Sequence, residues 1–283
     1  MPRTNTTIAV LSGKGGTGKT LLSVNLACVA PSSIYVDCDV EEPNGGLFFK
    51  PEAITVFPVS VKIPVVDEKL CNGCHTCVDF CRFNALALVG QKLLVFNEVC
   101  HACGGCTLIC PQNAITEQER IIGRVEMGIS GNVKVLSGIM EVGESSGVPI
   151  IRKLLADPAT PELTLIDCPP GSACLVMESI RKADFCLLVA EPTLFGVHNL
   201  AMVYDLVRKF HKPYAVVLNK CLAEDNPAET FCQEHAIRVL GKIPFDYELG
   251  FMHSNASIAA RESQKYRVLF SSILEAVLRE MDR

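Results

Sequence analysis

The chain lacks any apolar run of the ~18–20 residues that a membrane-spanning helix requires, so no insertion into a bilayer is expected. It also lacks a surplus of positive charge. Against 26 Lys and Arg stand 31 Asp and Glu, giving a net charge of −5 and a pI of about 5.7. No global basic field is left to hold nucleic acid or an anionic membrane. Low-complexity linkers are missing too. What remains is a globular composition, 49% hydrophobic and 20% charged, in 283 residues. That length has room for one large domain or two, with ample core.

Cysteine, by contrast, is abundant at fifteen residues. Eight of them form two runs, Cys71, Cys74, Cys77, Cys81 and Cys100, Cys103, Cys106, Cys110, each spaced C-x2-C-x2-C-x3-C. Each cysteine of the second run lies 29 residues after its counterpart, and Asn84-Ala85-Leu86 maps onto Asn113-Ala114-Ile115. The segment is an internal duplication. Structural zinc favours four ligands in two pairs, and disulfides favour short secreted domains, so neither suits two interlocked quartets. The pattern from Val61 to Glu119 resembles the bacterial two-cluster ferredoxins. That resemblance implies one [4Fe–4S] cluster on Cys71, Cys74, Cys77 and Cys110, and another on Cys100, Cys103, Cys106 and Cys81. Pro111 follows Cys110 as in that family, but Arg82 follows Cys81 where Pro is usual. A positive charge there would raise one cluster's potential. With no secretory segment read in the chain, the expected setting is a reducing cytoplasm able to maintain oxygen-sensitive clusters.

A second motif opens near the start. The apolar run Ile8–Leu11 reads as a buried parallel strand, and Leu21 to Ala30 has helical periodicity. Between them lies Gly13-Lys14-Gly15-Gly16-Thr17-Gly18-Lys19-Thr20, a P-loop in the required strand–loop–helix context. Its glycines let backbone N–H groups curl round a phosphate, and the helix N-terminus adds positive potential. Lys19 would reach the β- and γ-phosphates, and the Thr20 hydroxyl would hold Mg²⁺. Lys14 makes the loop K-G-G-T-G-K-T, which resembles the deviant Walker A motif of the MinD/ParA ATPases, shared by the nitrogenase iron protein. The resemblance implies ATP as ligand, and a Lys14 that crosses a dimer interface to the partner's nucleotide.

Later segments follow the order of that family. Ser33–Val36 leads to Asp37-Cys38-Asp39, which makes Asp39 the switch I acid by resemblance. Leu163–Ile166 ends in Asp167-Cys168-Pro169-Pro170-Gly171, similar to the family's Walker B and switch II segment. Asp167 would bind Mg²⁺ through water, and the Gly171 N–H would sense the γ-phosphate. After strands at Phe185–Ala190, Tyr214–Leu218 and Val239–Ile243 come Glu191, Asn219 and Pro244. The resemblance implies that Asn219 hydrogen-bonds adenine and that the Pro244 loop lies against the base. Strands alternating with helical patterns at Val197–Phe210 and Ala228–His235 predict an α/β fold, a mainly parallel, doubly wound sheet. The P-loop NTPase domain would comprise residues 1–60 and 120–283. An inserted, small α+β ferredoxin-like domain would comprise 61–119.

Other features carry plainer readings. Cys28, Cys38, Cys168, Cys174, Cys186, Cys221 and Cys232 make no C-x2-C pair, so most suit small core positions, with Cys168, beside Asp167, held out as a candidate ligand of a metal or shared cluster. His75 and His101 are surplus to complete quartets and belong on the surface. Tyr266, Leu269, Phe270, Ile273, Leu274, Val277 and Leu278 form a helical stripe whose polar face is not basic, so it should pack on the domain. The combined expectation is a homodimer on ATP binding, or a heterodimer with a paralogue, acting on a redox or metalloprotein partner. A scaffold or targeting ATPase with structural or redox-sensing clusters is the alternative.

Overall fold

The computed structural model of the chain describes residues 6–156, 163–222 and 226–283. Its strands are β1 (Thr7–Leu11), β2 (Ser33–Asp37), β3 (Glu52–Val66), β4 (Leu86–Val89), β5 (Lys92–Val95), β6 (Ile115–Ser130), β7 (Val133–Met140), β8 (Leu163–Asp167), β9 (Phe185–Ala190), β10 (Tyr214–Cys221) and β11 (Val239–Pro244). Nine of these make one sheet in the order β11-β10-β9-β1-β8-β2-β7-β6-β3. Pairing is parallel from β11 to β7 and antiparallel between β7 and β6 and between β6 and β3. The fold is therefore α/β with a mostly parallel central sheet.

The central strands are continuous apolar runs because helices cover both faces. One core layer gathers Leu22 and Leu26 from helix Lys19–Val29 and Phe270 from helix Gln264–Met281. The other gathers Ile150 from helix Val148–Leu154 and Val203 from helix Leu194–Lys209. The C-terminal stripe packs inward: Tyr266, Phe270, Ile273, Leu274 and Val277 are buried, and Leu269 and Leu278 flank them.

The segments Ile54–Val59 and Arg124–Ile129 are parts of far longer strands. β3 and β6 pair from Glu52 opposite Ile129 to Val66 opposite Ile115. Alternating polar residues such as Ser60, Lys62, Glu117 and Glu119 hide this length, because a ribbon beyond the sheet's covered faces keeps much of its surface in water. Pro58 and Pro64 are tolerated because β3 is the edge strand and needs fewer N–H donors. Both expected unit boundaries, 60/61 and 119/120, thus fall inside continuous strands. The cysteine segment hangs from the sheet edge on this ribbon, with its own hairpin β4–β5 and a small core of Cys77, Leu86, Leu93 and Ile115.

If the C-terminal helix is an integral layer, Phe270→Ala should cost about 3–5 kcal/mol of unfolding free energy in urea. Val268→Ala, on the exposed side of the same helix, should stay within about 0.5 kcal/mol. Equal costs would mean that the helix is not docked as described.

Candidate functional site

The glycine-rich loop joins β1 to helix Lys19–Val29, and its geometry explains its composition. Gly16 and Gly18 have φ of 77° and 98°, the left-handed region that favours glycine. A Cβ on Gly18 would stand 2.1 Å from Asn219 Nδ2, and one on Gly13 would stand 2.2 Å from the Asn199 carbonyl oxygen. Gly15 faces open space, and Thr17 is buried. A cleft of about 540 Å³ opens on Gly16, Gly18, Lys19 and Thr20 and extends to Asn219 and Pro244. The phosphate loop and the expected base pocket are therefore one continuous space. Asn219 donates its Nδ2–H to the Thr17 carbonyl at 2.7 Å, so the amide oxygen is what this side chain has left for a base amino group.

At the carboxyl ends of β2 and β8, Asp37 and Asp167 are cross-strand neighbours, both buried. The Thr20 hydroxyl and the Tyr35 hydroxyl hydrogen-bond Asp167, the latter at 2.9 Å. The Gly45 N–H donates to Asp37 at 2.7 Å. Burial, and then each other's charge, push Asp37 well above the usual carboxylate range. Burial also raises Asp167, against the opposing charge of Lys19. Among the described residues, Asp167 Oδ1 is buried without a hydrogen-bond partner. An orphaned carboxylate oxygen beside a threonine hydroxyl is the hard-oxygen set that suits Mg²⁺. Asp39 is half-buried, and burial, opposed by Lys19, pushes its carboxyl to about 6. Asp37 went unread as a site residue, although an acid ending a strand two positions before Asp39 was the available signal. The Gly171 N–H, expected at the γ-phosphate, donates here to the Ser12 carbonyl at 3.0 Å. It must exchange that partner to report on nucleotide.

Lys14 does not project freely. Its Nζ lies 2.8 Å from Glu191 Oε2, and Lys220 lies 2.6 Å from Glu191 Oε1 while also donating to the Gly16 carbonyl. Burial pushes Glu191 upward, but hydrogen bonds from the two lysines outweigh it and hold the carboxyl below its usual value. To reach another subunit, Lys14 must leave this clamp.

The two cysteine runs fold as near copies. The helices Thr76–Phe80 and Gly105–Ile109 correspond, as do positive φ angles at Asn84 and Asn113. The Ala85 and Ala114 N–H groups donate to Cys81 Sγ and Cys110 Sγ at 3.4 and 3.3 Å. Cys71, Cys74, Cys77 and Cys110 line one cavity, and Cys81, Cys100, Cys103 and Cys106 line another. Each cavity thus takes three cysteines from one run and the fourth from the other. Among the described residues, no three His, Cys, Asp or Glu side chains converge on a single ion site. A four-iron cube accepts one thiolate per corner, so its ligands ring a void rather than meet at a point. The second void holds about 200 Å³ and the first about 20 Å³, so the first would have to widen to seat a cube. His75 and His101 are exposed, as expected. Cys28, Cys38, Cys168, Cys186 and Cys232 are buried. Cys168 packs in the core with Cys38 and Cys186, where burial raises its thiol well above the usual range, and it lines neither cysteine cavity.

The acid cluster has a pH signature. Because the folded-state carboxyl of Asp39 lies above its unfolded value, its contribution is largest in acid and is lost as pH rises through about 6. Without nucleotide or Mg²⁺, the melting temperature should fall more between about pH 5 and pH 7.5 in wild type than in Asp39→Asn. Parallel curves for the two proteins would contradict that placement of Asp39.

Residues 8–256 match the family described as the CobQ/CobB/MinD/ParA nucleotide binding domain. Among individual proteins, two uncharacterized proteins of Methanocaldococcus jannaschii are 30% and 28% identical. The first alignment covers 75% of this chain and 79% of the relative, and the second covers 91% of each. The iron-sulfur cluster carrier protein of Pyrococcus horikoshii is 25% identical over 84% of this chain and 74% of its own length. The cell division ATPase MinD of Pyrococcus furiosus superposes with a TM-score of 0.58 at 19% identity, covering 97% of this chain and 99% of that one. With a family match over most of its length and the phosphate loop in place, the chain belongs to the CobQ/CobB/MinD/ParA nucleotide-binding family.

Proposed function

We propose that this protein is a dimeric, ATP-hydrolysing switch coupled to two [4Fe–4S] clusters, serving ATP-gated electron transfer to a partner metalloprotein or the maturation of one. The observation that carries the reading is the exchange of fourth cysteines between the two cavities, on a chain whose P-loop cleft is complete. Residues 61–119 would act as the ferredoxin-like unit. Cys71, Cys74, Cys77 and Cys110 would hold one cluster, and Cys81, Cys100, Cys103 and Cys106 the other. When bound, the clusters would supply one-electron carriers. Arg82 lines the second cavity, which favours the higher potential there.

In hydrolysis, water would attack the γ-phosphate in line with the leaving oxygen. Bound Mg²⁺ would offset phosphate charge. Lys19 stabilises that charge from its own chain, and Lys14 does so from the partner subunit after leaving Glu191. Asp39 orients the attacking water. Catalysis of this kind is positioning plus electrostatics, so turnover is slow until the dimer closes. The dimer would be of identical subunits or would include a paralogue; two relatives in one organism are in keeping with the latter. The setting proposed is the cytoplasm, and no described helix is long and apolar enough to cross a membrane. Likeness to a protein named an iron-sulfur cluster carrier favours a second reading, a scaffold or targeting ATPase with structural or redox-sensing clusters. Reversible low-potential reduction that changes with ATP separates the first reading from the second.

Anaerobically purified protein should contain about eight iron atoms per chain. Cys110→Ser should damage the cluster of Cys71, Cys74 and Cys77 and spare the one nearer its own run, as resolved by electron paramagnetic resonance. Stoichiometric zinc in protein made with iron available would sink the assignment.

The nucleotide half is checked separately. Lys19→Ala should weaken ATP binding itself. Lys14→Ala should keep much of the binding and lose hydrolysis, and Asp39→Ala should trap an ATP-bound dimer in gel filtration. Normal hydrolysis by Lys14→Ala, with Asp39→Ala monomeric in ATP, would exclude the switch and leave the cluster assignment standing.

A further inference from the structure

The two cysteine quartets are not equivalent in their surroundings. The first cavity is lined by residues of the cysteine segment alone, from Cys71 to Val78, Leu88, Leu93 and Cys110 to Ile115. The second quartet borders a different space. A cleft of about 590 Å³ is lined on one side by Cys100 and Cys103, and on the other by Glu41 and Cys174. Glu41 lies two residues beyond Asp39, and Cys174 opens the helix Cys174–Ile180, three residues beyond Gly171. One wall of this cleft thus follows both candidate switch segments in sequence.

A continuous path of close contacts crosses it. Val40, next to Asp39, is fully buried, and its carbonyl accepts from the Met140 N–H at 2.9 Å. A Cβ on Gly147 would stand 2.3 Å from Val40 Cγ2 and 3.4 Å from Leu175 Cδ2. The space beside Gly147 is filled by Val40, so Val40 cannot move toward Gly147 without displacing it, and Leu175 lies just beyond. Ser145, two residues earlier, donates its hydroxyl to the Cys100 carbonyl at 3.3 Å. Helix Val148–Leu154 is in turn bridged to helix Cys174–Ile180 by Arg152 and Glu178 at 3.1 Å. The loop between β7 and that helix therefore touches Val40, beside Asp39, and the Cys100 backbone, and the helix it leads into is bridged to the helix after Gly171.

We infer that the quartet Cys81, Cys100, Cys103 and Cys106 is the one coupled to nucleotide state, through the loop Glu141–Gly147, and that Cys71, Cys74, Cys77 and Cys110 are not. This rests on the cluster reading above and adds which cluster responds. A shift of Val40 displaces Gly147, a shift of helix Cys174–Ile180 pulls on helix Val148–Leu154 through Arg152 and Glu178, and Ser145 carries the displacement to the carbonyl of a cysteine ligand. Hydrogen bonding and solvent exposure around ligand sulfur tune a cluster's potential, so the second cluster's potential should differ between nucleotide states.

The test uses full-length, anaerobically purified protein with ADP and with a non-hydrolysable ATP analogue. Amide hydrogen exchange at residues 98–106 and 141–149 should change by about fivefold or more between the two states, the lower end of usual site–site coupling. Exchange at residues 71–78 should not change. Redox titration followed by electron paramagnetic resonance should show one potential that shifts with nucleotide and one that does not. In Ser145→Ala, and independently in Glu178→Gln, the shift should shrink while ATP hydrolysis persists. Iron-replete protein in which residues 71–78 respond instead, or in which both segments respond equally, would overturn the coupling alone. Full nucleotide response at residues 98–106 in protein that binds no iron would overturn the cluster reading and keep the path.

Discussion

Two carboxylates buried side by side, Asp37 and Asp167, form the constraint around which the nucleotide half is arranged. Adjacent parallel strands end in the same register, so their last side chains cannot avoid one another. Burial makes the pair costly in its charged form, and Lys19, the Tyr35 hydroxyl and the Gly45 N–H are what the chain supplies against that cost. Asp167 Oδ1 remains unpartnered among the described residues. A divalent cation with its phosphates would complete the site. Its departure would restore the repulsion, and on the proposed reading that would tie the segments after β2 and β8 to nucleotide state.

The loops around the acid pair are tied off in this structure. The Gly171 N–H is held by the Ser12 carbonyl, and Lys14 is held by Glu191. Both groups are ones that the family resemblance assigns to phosphate. The Gly171 bond is neutral, so a charge-assisted bond to a phosphate oxygen would be the stronger one, whereas Lys14 would exchange one anionic partner for another. Glu191 is the more restrictive partner, since it binds Lys14 and Lys220 together from a position that is largely buried. Removing Lys14 from it leaves Lys220 to neutralise the carboxylate, so the clamp can open without stranding a buried charge.

Much of this was legible in the order of residues. Ile8–Leu11, Phe185–Ala190 and the C-terminal stripe announce themselves, because full burial and helical period leave plain patterns. The P-loop residues and the cysteine spacing were legible for a different reason: their chemistry tolerates few substitutes. What stayed hidden depended on partners distant in sequence. β3 and β6 run some way past their apolar centres, and only their mutual pairing makes Ser60, Lys62, Glu117 and Glu119 strand residues. Asp37 becomes a site residue only because β8 lies beside β2. Glu191 gains its role from lysines 177 and 29 residues away in the chain, where no local pattern could show it.

The sheet order also limits how the two halves can communicate. β2, which ends at Asp37, neighbours β7, and β7 neighbours β6, the strand that returns from the cysteine segment. That places the cysteine ribbon two strands from the acid pair, yet the connection is a hydrogen-bonded ladder with packed faces and has little freedom to move. Motion is easier where strands stop. The loops after β2, β7 and β8 all lie at the carboxyl end of the parallel region, where ligands bind in such sheets. Hanging the cysteine segment from an edge ribbon brings Cys100 and Cys103 to a cleft shared with those loops, which Cys71 and Cys74 do not line. The ribbon therefore fixes the segment's position, and the loops are left as the part free to respond to nucleotide.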